Sequence, residues 1–67
     1  MWIEVVIEER KQLDIKVVLL TKYIESDAFQ KMDHVQRGLL KSQLLTMMSY
    51  SEILKQRIEW GKIDIDG

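Results

Sequence analysis

Apolar side chains recur along this chain at spacings of three and four residues, in two long segments separated by a short polar one. At about 100° per residue, Trp2, Val6, Leu13, Val17, Leu20 and Ile24 fall in one narrow stripe. That is the buried face of a first helix over about residues 3–25. The stripe is interrupted at Glu8-Glu9-Arg10-Lys11, where Glu9 or Arg10 takes the inward position. The β-branched residues before that block have modest helix propensity, so residues 1–7 also admit an extended reading.

The polar segment Ser26-Asp27-Ala28-Phe29-Gln30-Lys31-Met32-Asp33 predicts a bend over 26–33, because short polar side chains compete for backbone hydrogen bonds. Phe29 and Met32 lie inside it, where they would plug the end at which the two helices diverge. Asp33 followed by Gln36 has the spacing of a capping box and starts a second helix near His34. Leu40, Leu44, Met47, Ser51, Leu54 and Ile58 share one face of that helix. Its expected span is about 34–60, since Gly61 suits a C-cap and Lys55 and Arg57 complement the helix dipole. The tail, residues 61–67, alternates apolar and acidic residues; it reads as frayed, or as a short strand if Trp2–Ile7 is extended beside it.

Two helices of this kind leave apolar residues over. Val5, Leu19 and Tyr23 lie to one side of the first stripe, with Ile7, Ile15 and Val18 further round; Val35, Leu39, Tyr50 and Ile53 flank the second, with Leu45 and Met48 opposite. A contiguous exposed apolar band usually marks an interface. A chain of 67 residues buries only about 60% of its unfolded surface and needs extra stabilisation. Cysteine is absent and there is one histidine, His34, which removes disulfides and a thiolate zinc site and leaves association. The expected architecture is all-α, a two-helix antiparallel hairpin pairing into a dimeric four-helix bundle or a higher oligomer. Val18, Leu19, Tyr23, Leu39, Leu45, Met48, Tyr50 and Ile53 are the candidate residues for contact with a second copy or a partner.

Ten basic and eleven acidic residues give a net charge of −1, which disfavours nucleic acid as a partner. The longest apolar run, Val17-Val18-Leu19-Leu20, is far short of a membrane span, and the first residues carry no export pattern, so a cytoplasmic location is expected. No catalytic constellation, cofactor motif or metal spacing is present, and a two-helix unit is expected to offer ridges rather than a ligand-sized cleft. Asp33 and His34 read as a cap and its solvated neighbour, and Met47 and Met48 as core filling before an adaptable surface.

From Glu8 to Ile58 the chain resembles a family of small, functionally uncharacterised helical proteins of tailed bacteriophages and prophages. The matching residues are Glu9-Arg10, Leu13-Asp14, Lys16-Val17, Leu20, Tyr23-Ile24 and Phe29, then Leu40, Gln43-Leu44, Met47, Tyr50-Ser51, Ile53-Leu54 and Arg57-Ile58. Ile15, Val18, Leu19, Leu45 and Met48 depart from it, standing where polar residues are usual. The resemblance implies a non-enzymatic phage accessory protein inside a bacterial host, acting by stoichiometric binding to a host defence or regulatory protein. Two alternatives remain open: a small RNA- or nucleotide-binding bundle, for which Arg10, Lys11, Lys16 and Lys22 are the nearest cations, and a purely structural or assembly role.

Overall fold

A computed structural model describes the backbone of residues 2–66 and the side chains of residues 2–63. Among the described residues the regular structure is all helix, with residues 25–26 and 31–33 as connecting turns: α1 spans Trp2–Ile24, α2 spans Asp27–Gln30 and α3 spans His34–Asp66. The residues that open α1 meet those near the end of α3, and α2 closes the opposite end. The molecule measures 52 × 15 × 14 Å, its length set by α3, which at about 1.5 Å per residue is about 50 Å long.

Both predicted stripes face the helix–helix seam. Val6 and Leu54 are buried, with Leu13, Val17, Leu20 and Ile24 of α1 and Leu40, Leu44, Met47 and Ile58 of α3 half-buried along it. Trp2 departs from the expectation. It stays 48% exposed, and Ile3, one position on and off the centre of the stripe, is the buried residue at this end. Residues 2–7 are helical, which sets aside the extended alternative and the strand pairing with the tail.

The bend folds as expected around Phe29, which is 1% exposed. Its seat is α2, a single turn that the sequence did not announce. The Ser26 hydroxyl donates to the Tyr23 carbonyl at 2.5 Å and accepts from the Phe29 amide at 3.3 Å, so one side chain ends α1 and caps α2. Tyr23 meets the Phe29 ring edge-on at 6.3 Å, Lys41 Nζ lies 5.8 Å from its centroid, and the Tyr23 hydroxyl reaches Met32 Sδ at 3.3 Å. Asp33 caps α3 by accepting the Val35 amide at 2.8 Å, the aspartate half of the expected box.

The end of α3 is a correction. The helix does not stop near Trp60 but continues through Gly61 to Asp66; the expected frayed tail is helical over 61–66, and Gly67 lies outside the described residues. Gly61 is buried against α1. A Cβ built there would sit 2.8 Å from Trp2 Cζ2, closer still to Cη2, and 3.0 Å from Ile3 Cδ1. The glycine is a notch for the first turn of α1, and contact with that turn carries α3 past the residue that reads as a C-cap.

Candidate functional site

The block that interrupts the first stripe becomes a polar insert in the seam. Ser51 sits among apolar α3 positions and is 8% exposed. Its hydroxyl donates to Asp14 Oδ1 at 2.5 Å and accepts from Arg10 Nε at 3.3 Å, while Arg10 Nε lies 3.7 Å from Asp14 Oδ2. Arg10 and Asp14, one turn apart on α1, therefore close on a single α3 hydroxyl. Such an insert satisfies the one buried hydroxyl and favours a single register, since a slip would leave Ser51 buried without a partner.

Arg10 and Asp14 also border a groove of about 680 Å³ on one side of the seam. Its walls are Ile7, Ile15, Val18 and Leu19 of α1 and Ile58 of α3, and its cations are Arg10, Lys11 and Lys62. The groove has the volume of a small-molecule site but is shallow and open to solvent, a trough between helix ridges and not an enclosed cleft. The groove exists because α1 carries apolar residues well outside its buried stripe and because α3 extends far enough to bring Lys62 across.

The opposite side of the seam is marked by Tyr50, whose hydroxyl donates to Glu9 Oε2 across the helices. That bond raises the Tyr50 phenol above its ordinary value of 10.0; partial desolvation and the Glu9 charge act in the same direction, and Arg57 opposes them. Helical spacing places Leu39, Ile53 and Val35 on this side of α3, and Val5 and Tyr23 beside Glu9 on α1.

The eight candidate contact residues thus divide between two faces. Val18 and Leu19 line the groove, and Met48 and Leu45 lie on the same side of α3, Met48 about four turns before Lys62. Tyr23, Leu39, Tyr50 and Ile53 belong to the tyrosine side. All eight are exposed, from 40% for Tyr23 to 66% for Leu45. Three residues that matter here, Ile58, Trp60 and Lys62, were not among them. Trp60 is 65% exposed and follows Ile53 by about two turns on the same line of α3. Trp60 lay inside the expected helix, where its spacing from Ile53 was the available signal, whereas Lys62 was hidden by reading Gly61 as the end of the helix.

Among the described residues there is no group of histidine and acidic residues that could hold a metal ion, and no helix is long and apolar enough to cross a membrane. A family model described as Sequestin matches residues 1–60. A protein of Enterobacteria phage T4, described as an uncharacterized 7.5 kDa protein in the denB-rIIB intergenic region, is 43% identical over 51 residues, which is 76% of this chain and 80% of that protein. No solved structure matches the chain.

Proposed function

The chain belongs to the Sequestin family, and on that premise we propose that it is a non-catalytic phage protein that works by stoichiometric binding, holding a target out of circulation in the host cytoplasm. It does so as a helical hairpin self-associated into a four-helix bundle. The target that the geometry supports best is a small anionic molecule with a flat apolar portion, of the size and chemistry of a nucleotide. One observation carries this reading: an open apolar trough rimmed by Arg10, Lys11 and Lys62, three cations against the single carboxylate of Asp14. Isoleucine and valine walls would cover a base, and the guanidinium and ammonium groups would meet phosphate. The family's name, with its sense of sequestering, agrees with binding in place of turnover.

Calorimetric titration with linear and cyclic nucleotides tests this. The expected result is saturable binding that weakens with added salt, is lost in Lys11→Glu and Lys62→Glu, and leaves the ligand chemically unchanged. Absence of binding across the panel, or release of a hydrolysed product, would reject it. A second reading is favoured by the exposure of the apolar bands: capture of a host defence or regulatory protein. Under that reading a host protein co-purifies with the wild-type chain and is lost in Val18→Glu, while nucleotides have no effect.

A further inference from the structure

The chain exposes 5188 Å² of surface, whereas a compact monomer of 8.0 kDa exposes about 4,450 Å². The excess, about 700 Å², is close to the roughly 800 Å² that each partner contributes to a standard protein interface. The radius of gyration points the same way, at 15.5 Å against about 11 Å for a compact chain of this length. Two apolar faces are available to cover that excess, and their charges differ.

A twofold contact sets a patch against its own copy, so whatever net charge the patch carries is repelled by itself. On the groove face Asp14 is already engaged by Ser51 and Arg10, and neither Lys11 nor Lys62 is paired with a carboxylate among the described residues. The rim of the groove sets Arg10, Lys11 and Lys62 against the single carboxylate of Asp14, so self-pairing centred on the groove would bring like charges together. The tyrosine face carries Glu9 together with Lys16 and Arg57, mixed in sign, so that a copy's carboxylate can meet a cation instead of its like. Its apolar residues also suit an interface, because tyrosine and tryptophan are enriched in interface cores and lysine is depleted.

We infer that the tyrosine face, built from Tyr23, Val35, Leu39, Tyr50, Ile53 and Trp60, is where a second copy of this chain docks, and that the groove face stays outside the contact. The inference rests on the self-association proposed above and assigns it to one of two faces. It leaves each copy of a dimer with an open groove, so a dimer would carry two equivalent ligand sites.

Light scattering over a concentration series, with circular dichroism on the same samples, tests the assignment. Wild type is expected at twice the chain mass. Leu39→Glu and Ile53→Glu are expected to fall to the chain mass with helicity retained, and Val18→Glu and Met48→Glu to remain dimeric. Should the glutamate variants lose helicity, Leu39→Ser and Ile53→Ser serve instead, with at least a tenfold weaker association expected. A wild-type monomer at every concentration overturns self-association itself. A dimer that survives both tyrosine-face changes, or that is dissociated by Val18→Glu or Met48→Glu, overturns the face assignment while leaving self-association standing.

Discussion

Two glycines of α3 occupy opposite environments. Nothing lies within 4 Å of a Cβ built at Gly38, in the exposed second turn of the helix. Gly38→Ala should therefore stabilise the fold by about 0.5–1 kcal/mol through helix propensity alone. Gly61→Ala receives the same benefit but drives a methyl into Trp2 and Ile3. Overpacking of that kind costs about 1–3 kcal/mol, so a net loss of about 1 kcal/mol is expected, and thermal melts of the two variants should move in opposite directions. Tyr50 supplies a prediction in pH. Its phenol is raised, chiefly by the bond to Glu9, so the stability that bond contributes is full below tyrosine's ordinary value of 10.0 and is lost as pH climbs through the raised value. In an ultraviolet titration Tyr50 should ionise later than a free tyrosine, and Glu9→Gln should bring it back toward 10.0.

At the scale of elements, the turn α2 exists to seat one ring. Phe29 is almost wholly buried by Tyr23, the Lys41 side chain and the converging ends of α1 and α3. Phe29→Ala should cost about 3–5 kcal/mol, measurable as a collapse of the denaturation midpoint, whereas Phe29→Leu should be milder. This part of the molecule was legible in advance because a lone large aromatic among Ser, Asp, Gln and Lys has few other places to go. Both main stripes were legible for the related reason that helix periodicity records which side faces a neighbour. The end of α3 was not, because local chemistry alone makes glycine a terminator, and its role as a notch depends on Trp2 and Ile3 from the other end of the chain. The groove was invisible for a similar reason. Lys11 and Lys62 are far apart in sequence, and only the extended α3 brings them to one rim. Ser51 was placed correctly on the buried face, but its hydroxyl partners, Arg10 and Asp14, could be named only once the register was known.

At the scale of the whole molecule, the fold has little interior of its own. Among the described residues Ile3, Val6, Phe29 and Leu54 are the buried apolar side chains, while Val5, Val18, Leu19, Val35, Leu39 and Ile53 are each more than half exposed. Full burial of one such side chain is worth about 1.5–3 kcal/mol, so the few residues that a second copy covers weigh as much as the chain's own core. Folding and association should then be linked by mass action, and the melting temperature should rise with protein concentration. Differential scanning fluorimetry over a hundredfold dilution checks this directly. A melting temperature that climbs with concentration in wild type and becomes flat and lower in Ile53→Glu places the missing stability in contact between copies at the tyrosine face. A concentration-independent melt in wild type would mean that the four buried side chains and the Arg10-Asp14-Ser51 insert hold the hairpin alone, with the exposed bands serving only a target.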